Sequence, residues 1–317
     1  MKKKSSIAKL VGFAAGFFGA ASYITFYEVM GRNAKLAPKL GTLFASESGL
    51  EQTDIPDERQ VWFDSQSFEE FEMINDKKQR LRGYLLPAEK PSNVYVFGSH
   101  GYRSSGKGEF CLMTKFYHDR GYNVFLVDHQ ASGESDGKYI GFGYHECPDC
   151  LKWLDFLNER FGNDIQIILH GVSMGCATVT MMSGSGKLPE NVKFVVADCG
   201  YTSAYDEFNS NMGKFKPIAA PFMSMANVIN KKLSGYDFKD ASPIESVKNV
   251  SVPMLFIHGG MDTFVPTEMA YKLYDACSSK DKDLLIVEGA GHAESYPKNS
   301  ALYESKVIEF IEKYIKE

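Results

Sequence analysis

Short apolar segments alternate with longer amphipathic segments along most of this chain, and this alternation restricts the possible folds more than any other feature of the sequence. The short segments are rich in Val, Ile, Leu and Phe and are bounded by Gly, Pro, Asp or Asn, which is typical of strands covered on both faces. The longer segments place apolar residues at i, i+3 and i+4, the spacing of one helix face. The alternation predicts an α/β fold with a mostly parallel central sheet flanked by helices.

These elements divide the chain into regions. Strands are predicted over Leu81–Leu86, Val94–Phe97, Asn123–Val127, Gln166–Leu169, Val192–Ala197, Met254–Ile257 and Leu284–Val287. Helices are predicted over Glu109–Arg120, Cys147–Arg160, Thr267–Cys277 and Leu302–Ile315. The alternation breaks at residues 201–248, where Met and Phe residues stand among polar ones, and we expect an inserted helical segment there. The polar residues 34–58 predict a linker that precedes a folded domain over residues 59–317.

The N-terminal end of the chain is basic and then apolar. Residues 1–40 contain seven Lys or Arg and one Glu, although the whole chain has a formal net charge of −5. Four lysines precede the uncharged stretch Leu10–Tyr27, which as a helix would span roughly 27 Å, about the thickness of a hydrocarbon core. We therefore predict a single-pass signal anchor over residues 1–33, with the catalytic domain outside the cytoplasm. A cleaved signal peptide and a buried soluble helix are the alternatives.

The composition excludes several classes of protein. Hydrophobic residues make up 44% and charged residues 24%, as in ordinary globular chains and unlike disordered ones. The chain after the N-terminal region is acidic, so we expect no nucleic-acid partner. The pair Cys147 and Cys150 predicts two thiols on the first turns of a helix, with a redox pair, a disulfide or a metal site as alternatives. We expect no cofactor and no metal.

A serine stands between two glycines where a predicted strand ends. The segment Gly171-Val172-Ser173-Met174-Gly175 has the pattern G-x-S-x-G, and a helical stretch follows it. A side chain at either glycine would collide with neighbouring backbone in so sharp a turn. The turn lifts the serine hydroxyl clear of the sheet and directs helix N–H groups toward developing negative charge. We predict that Ser173 is a nucleophile, the alternative being an incidental tight turn.

A serine hydroxyl needs a base, and the base needs a carboxylate. His292 follows the last predicted strand on a Gly-rich loop and is our predicted base; a surface loop histidine is the alternative. Asp262 follows strand Met254–Ile257 and is the predicted partner of His292, with Asp198 as the rival acid. The chain order Ser, Asp, His matches one of the known triad folds and differs from two others.

Acyl transfer also needs N–H donors for the oxyanion. We predict that these are the backbone N–H groups of Met174, directly after the nucleophile, and of Tyr102, in the loop after strand Val94–Phe97. The alternative for the second donor is an ordinary Gly/Ser loop. The chain has no G-x-x-x-x-G-K-[ST] pattern, which argues against a nucleotide site.

Together these motifs resemble the α/β-hydrolase superfamily, and most closely its bacterial, often membrane-anchored serine hydrolases of the esterase, lipase or aminopeptidase-like group. The resemblance extends from about Val61 to the C-terminus. Its most specific motifs are Ser99-His100-Gly101, Gly171–Gly175, the segment from His258 to Pro266 and Gly291-His292. Gln130 departs from the family pattern, because Arg is usual at that position and would form a salt bridge in the loop.

The resemblance implies a serine esterase with a cap domain, formed by residues 201–248, over its active site. We predict cleavage of carboxylic esters, either small molecules or lipids, through an acyl-enzyme, with the membrane reached through the N-terminal helix. A thioesterase, a lipase and a peptidase of the same fold are alternatives. A binding module that retains the fold without catalysis is the alternative from another class.

Overall fold

The structure is a computed structural model that describes residues 19–34, 57–212 and 216–316, without the side chains of residues 216–219. Its centre is an eight-stranded sheet in the order β1-β2-β4-β3-β5-β6-β7-β8. The strands are β1 Glu69–Ile74, β2 Arg80–Leu86, β3 Val94–Ser99, β4 Asn123–Asp128, β5 Gln166–Val172, β6 Val192–Asp198, β7 Met254–Gly259 and β8 Lys282–Val287. The first two pairings, β1 with β2 and β2 with β4, are antiparallel, and the other pairings are parallel. The predicted fold class is confirmed.

Helices follow most strands and cover both faces of the sheet. Residues 19–30 are helical and form α1. The other helices are α2 Glu58–Asp64, α3 Gly106–Phe110, α4 Thr114–His118, α5 Glu146–Phe161, α6 Met174–Ser183, α7 Ala204–Asn211, α8 Lys216–Leu233, α9 Pro243–Ser246, α10 Glu268–Ala276, α11 Ser295–Lys298 and α12 Ser300–Tyr314. The helix predicted over Glu109–Arg120 is therefore two short helices, α3 and α4.

Two differences from the sequence prediction concern the sheet. Strand β1 was not predicted, because three of its six residues are glutamates and its side chains are exposed or half-buried. Several central strands are also longer at their carboxyl ends than the apolar pattern indicates. Strand β5 continues to Val172 and strand β7 to Gly259, so the strands themselves carry the chain to the loops of the candidate site.

Two apolar layers enclose the sheet. One contains buried residues of α5, α6 and α10, among them Trp153 and Leu273. The other contains buried residues of α3, α4 and α12, among them Tyr117, Tyr303 and Val307. Strands β3 to β6 are covered on both faces, since nearly all of their side chains are buried. This rigid centre holds the carboxyl ends of the strands in fixed relative positions.

A third apolar cluster lies at the carboxyl edge of the sheet and includes helix α1. Phe26 and Met30 of α1 are 1% and 0% exposed and share this cluster with Met174 and Val265. The chain after α1 then pairs with a loop of the folded domain, through a bridge between Gly31 and Tyr139. Helix α1 is thus part of the packed body.

The prediction of a membrane anchor over residues 1–33, and of an extracytoplasmic domain attached to it, is wrong. Within residues 19–34, 57–212 and 216–316, no helix has the length and apolar character needed to cross a membrane. The physical reason lies in α1, whose apolar side chains at i and i+4 pack on the protein, while Tyr23 and Ile24 on other faces are 48% and 54% exposed. The earlier part of the predicted anchor, residues 1–18, lies outside the described residues.

Two further regions were predicted from composition. Most of the predicted linker, residues 35–56, lies outside the described residues, and α2 begins within its end at Glu58. Residues 201–248 contain helices α7, α8 and α9, between β6 and β7. The interpretation of that segment as a cap stays a prediction.

The cysteines are free thiols, including Cys147 and Cys150 near the start of α5, and Cys111 is the half-buried one among them. We predict that a thiol reagent such as DTNB reacts with one cysteine in the native protein and with six after denaturation without reductant. A Cys147–Cys150 disulfide would leave four reactive thiols in the denatured chain. The variant Cys111→Ser is the control: it should abolish the native reaction and leave five reactive thiols after denaturation.

Candidate active site

Ser173 lies in a strained turn between β5 and α6. Its φ of 56° and ψ of −114° place a non-glycine residue in a rarely occupied backbone region. A Cβ atom at Gly171 would overlap the carbonyl of Gly175, and one at Gly175 would overlap the backbone of Ser99. The turn can therefore form only with glycine at both positions, and it presents the Ser173 side chain at the carboxyl edge of the sheet.

Ser173, His292 and Asp262 lie together in one hydrogen-bonded chain. Ser173 Oγ is 2.8 Å from His292 Nε2, and His292 Nδ1 is 2.8 Å from Asp262 Oδ2. The carboxylate accepts the Nδ1–H, so Nε2 is left to accept the proton of the serine hydroxyl. Phe264 packs beside the imidazole, with 5.0 Å between ring centroids. The structure thus brings together three residues that are far apart in the sequence.

The Asp262 carboxylate is buried but well supplied with donors. Its Oδ1 accepts the backbone N–H groups of Phe264 and Val265 at 3.0 and 2.8 Å. Its Oδ2 lies 2.8 Å from His292 Nδ1 and 3.2 Å from His258 Nε2. Burial alone would raise the pKa of Asp262, but hydrogen bonds from the two histidines, together with their charges, lower it to about 2. The group is therefore a carboxylate at neutral pH.

The rival acid, Asp198, lies nearby in a different network. Its Oδ2 accepts a hydrogen bond from Tyr303 at 3.0 Å, and Tyr303 also bonds His170. Burial raises the pKa of Asp198 to about 7, against a smaller opposing effect of the Tyr303 hydrogen bond. Its backbone carbonyl accepts the Ser173 N–H at 2.8 Å. The structure therefore places Asp198 beneath the nucleophile turn, where its carbonyl supports that turn.

The two predicted oxyanion donors lie on segments that pack against each other. Gly101, which precedes Tyr102, comes so close to the turn that an added Cβ would lie 3.4 Å from Ser173 Cβ. Within the described part of the chain, neither the Met174 nor the Tyr102 backbone N–H forms a hydrogen bond. Among the described residues, no acceptor therefore competes for either N–H group.

His100 fixes the orientation of the peptide that carries the Tyr102 N–H. Its Nε2 accepts the backbone N–H of His129 at 3.0 Å, so its Nδ1 carries the proton and donates to Gly101 O at 2.7 Å. Burial lowers the pKa of His100, which keeps the ring neutral. Because a trans peptide points its C=O and N–H in opposite directions, a fixed Gly101 carbonyl also fixes the direction of the Tyr102 N–H.

Gln130 replaces the expected arginine, and the neighbouring loop is held without it. Gln130 Oε1 accepts from Lys77 Nζ at 3.2 Å, and its Nε2 donates to Tyr139 O at 2.9 Å. The nearby Asp128 carboxylate accepts from backbone N–H groups of Gly106 and Glu134, each at 2.8 Å. Hydrogen bonds of the Gln130 amide with Lys77 and Tyr139, and of the Asp128 carboxylate with backbone N–H groups, thus take the place of the salt bridge that the family pattern implies.

Glu207 of α7 is a buried carboxyl group that the sequence analysis did not single out. It is 4% exposed, its Oε1 accepts from Asn211 at 2.7 Å, and its Oε2 has no partner in the described part of the chain. Burial raises its pKa to about 8, with a further contribution from the charge of Asp262. Asn211 also donates to Phe264 O at 3.1 Å, which links α7 to the loop of Asp262. A buried acid on a helix has no local sequence signature.

Comparisons with known proteins agree with this architecture. The profile of the prolyl oligopeptidase family matches residues 109–317. The uncharacterised protein YqkD of Bacillus subtilis (strain 168) is 28% identical over 234 residues, which cover 73% of this chain and 75% of YqkD.

Two solved structures share the fold at low sequence identity. The esterase Pf2001 of Pyrococcus furiosus superposes with a TM-score of 0.64 at 20% identity, over 84% of this chain and 96% of the esterase. The monoacylglycerol lipase of Paleococcus ferrophilus superposes with a TM-score of 0.53 at 19% identity, over 73% of this chain and 98% of the lipase.

The raised pKa of Glu207 predicts a pH-dependent stability. The folded state binds this proton more tightly than the unfolded state, whose ordinary pKa is 4.5, so this group's contribution to stability is lost as pH rises from about 4.5 to about 8. Glu207→Gln removes the ionisation. We expect its melting temperature to match wild type near pH 5 and to exceed it by several degrees at pH 8 in thermal unfolding scans. The control is Glu312→Gln, at an exposed position, and its melting temperature should equal that of wild type at every pH. A difference in melting temperature between Glu207→Gln and wild type that did not change with pH would contradict the prediction.

Proposed function

Because the chain belongs to the prolyl oligopeptidase family, within the α/β-hydrolases, we propose that this hydrolase uses Ser173 to cleave carboxylic esters through an acyl-enzyme intermediate. The observation that carries the proposal is the hydrogen-bonded chain from Ser173 Oγ through His292 to Asp262, with 2.8 Å at each step. These distances are those needed for proton transfer between a nucleophile and its base.

In the first half-reaction, Ser173 Oγ attacks the ester carbonyl carbon while His292 Nε2 takes the hydroxyl proton. The imidazolium that forms is stabilised by Asp262, which holds Nδ1–H and stays ionised. The backbone N–H groups of Met174 and Tyr102 bind the oxyanion of the tetrahedral intermediate. His292 then gives its proton to the leaving alcohol oxygen, and the acyl group remains on Ser173.

In the second half-reaction, water replaces the alcohol. His292 Nε2 takes a proton from the water molecule, whose oxygen attacks the acyl carbon, and the same two N–H groups bind the second oxyanion. Collapse of this intermediate releases the carboxylic acid and returns the proton to Ser173 Oγ. Side chains and backbone groups of this chain, with water, suffice for every step.

The choice of esters over other acyl compounds rests on two supports. The solved structures that share the fold carry the names esterase and monoacylglycerol lipase. The cluster at the carboxyl edge of the sheet is apolar and includes Met174, Phe142 and Val265. We also propose that residues 59–317 are the hydrolase domain and that residues 201–248 form its cap, since the connection between α8 and α9 contributes Tyr236 and Phe238 to the same cluster.

The first test is labelling of the full-length chain with a fluorophosphonate probe. We expect wild type to be labelled, Ser173→Ala to remain unlabelled, and His292→Ala to be labelled at least about 10³-fold more slowly, because the probe needs an activated serine. Ser185→Ala, which removes an exposed serine just beyond α6, is the matched control and should label like wild type. Gel fluorescence measures each outcome.

Substrate class is then measured with one acyl group on three leaving groups: p-nitrophenol, a thiol and p-nitroaniline. The ester proposal predicts the highest kcat/KM for the first. A higher value for the thioester or the anilide would favour a thioesterase or a peptidase. A wild type that is folded by circular dichroism but neither labelled nor active would favour the binding module.

Asp262→Asn tests the role of the carboxylate separately. An amide cannot stabilise the imidazolium and favours the wrong tautomer of His292, so we expect kcat to fall by about 10⁴-fold. Steady-state hydrolysis of a p-nitrophenyl ester measures the change. Asp283→Asn, on strand β8, is the control and should keep the wild-type rate. An Asp262→Asn variant that retained a tenth of the activity would exclude this residue as the triad acid.

A further inference from the structure

The C-terminal end of helix α1 is bound by two residues of the loop between β3 and α3, residues 100–105. We call this segment the oxyanion loop, because it carries the predicted donor, the Tyr102 N–H. Arg103 Nη2 donates to the carbonyl oxygens of Glu28 at 2.7 Å and Gly31 at 3.0 Å. The Tyr102 hydroxyl donates to Val29 O at 2.6 Å. Arg103 Nε in turn donates to the Tyr102 hydroxyl at 2.7 Å. Two adjacent side chains of the loop therefore bind the carbonyls of Glu28, Val29 and Gly31 at one helix end.

The chemistry of this contact suits a helix terminus. The last carbonyls of a helix lack intrahelical donors and carry partial negative charge. A guanidinium supplies several N–H groups in a fixed plane and a positive charge, so it can bind two such carbonyls together. The Arg103 guanidinium also lies 5.1 Å from the centre of the Tyr102 ring, which orders both side chains.

The loop that is held in this way has an unfavourable backbone conformation of its own. Arg103 has a φ of 59°, in the left-handed region that non-glycine residues seldom adopt. Tyr102 lies directly before it and carries the predicted oxyanion N–H. On the other side, His100 fixes the carbonyl of the same peptide. Without the bonds to α1, the Tyr102 hydroxyl and the Arg103 guanidinium would lose their carbonyl acceptors. The loop would then be held through Gly101, whose N–H donates to Glu109 Oε2 at 3.0 Å, and through the contact of the Tyr102 and Phe142 rings.

Helix α1 is itself anchored elsewhere, so it can serve as a support. Phe26 and Met30 are buried, and the rings of Phe26 and Tyr139 lie 5.3 Å apart. The Met30 carbonyl accepts the Ile140 N–H at 2.8 Å, and the Arg32 N–H donates to Lys138 O at 2.9 Å. These contacts fix the helix end against the loop after β4, independently of Arg103.

We propose that Arg103 is a positioning residue of the oxyanion hole, which fixes the Tyr102 N–H by binding it, through the Tyr102 side chain, to the C-terminal end of α1. Helix α1 is then a required part of the active site, although it precedes the hydrolase domain in sequence. The inference rests on the proposed serine-hydrolase function. In this proposal, the contact of Arg103 and Tyr102 with α1 contributes to stabilisation of the transition state and not to binding of the substrate.

The test compares Arg103→Ala with wild type in hydrolysis of a short p-nitrophenyl ester by the full chain. A displaced oxyanion donor should lower kcat by about 10- to 100-fold with KM unchanged within about two-fold, because the donor acts mainly in the transition state. Added guanidinium at tens of millimolar should restore part of kcat. Arg103→Lys should give an intermediate rate, since an ammonium cannot bind both carbonyls and the hydroxyl in one plane.

A matched control is available in Arg120, whose guanidinium also binds a backbone carbonyl, Phe116 O, and lies over an aromatic ring. Arg120→Ala should keep the wild-type kcat and show no response to guanidinium. Tyr102→Phe is a second, smaller change that removes the hydroxyl and keeps the ring and the backbone N–H. We expect it to lower kcat by about 3- to 10-fold at constant KM, and it decides the question if Arg103→Ala does not fold.

The outcomes separate the two proposals. If wild type hydrolyses the ester and Arg103→Ala and Tyr102→Phe keep kcat within two-fold, the positioning role is wrong and the hydrolase function stands. A rise in KM at constant kcat would also overturn it. If folded wild type is itself inactive and unlabelled by the fluorophosphonate, the hydrolase function fails first.

Discussion

The backbone of Gly175 packs directly against the backbone of Ser99, with no room for a side chain between them. This contact brings the turn after β5 against the loop after β3, two segments that the parallel pairing of those strands already aligns. The nucleophile and the oxyanion loop are therefore neighbours because of sheet register and the absence of one Cβ. The positions of Met174 and Tyr102 relative to Ser173 follow from the same contact.

Of two buried carboxyl groups near the site, Asp262 is ionised at neutral pH and Glu207 is mostly protonated, because their surroundings differ. Asp262 has two backbone N–H groups and two histidines around it, and its pKa falls to about 2. Glu207 has one amide donor and one oxygen without a partner in the described part of the chain, and its pKa rises to about 8. Burial raises the pKa of both groups, and the hydrogen bonds and charges of His258 and His292 reverse this effect for Asp262 alone, so Asp262 carries a charge at neutral pH.

Local sequence patterns were sufficient to predict the central sheet and the residues that the structure brings together. Ser173 and Asp262 follow strands with clear apolar patterns, and His292 follows the last strand. Their position at the same carboxyl edge of the sheet could therefore be inferred from the parallel topology alone. The role of α1 could not be inferred in this way. Its apolar residues satisfy both a membrane pattern and a packing pattern. Long-range contacts distinguish the two, namely the burial of Phe26 and Met30 and the hydrogen bonds from Tyr102 and Arg103 to carbonyls more than 70 positions away. Strand β1 was missed because its two half-buried apolar residues, Phe71 and Met73, stand among exposed glutamates, which obscure the apolar pattern.

The position of β1 at the edge of the sheet has a consequence for how copies of this protein meet. An edge strand offers unpaired N–H and C=O groups to any other extended chain. In β1 the exposed residues include Glu69, Glu70 and Glu72, and Glu70 and Glu72 form ion pairs with Arg82. Charged side chains along an edge strand disfavour pairing with another strand, because that strand would have to accommodate them. The charged edge thus opposes growth of the sheet from one copy into the next.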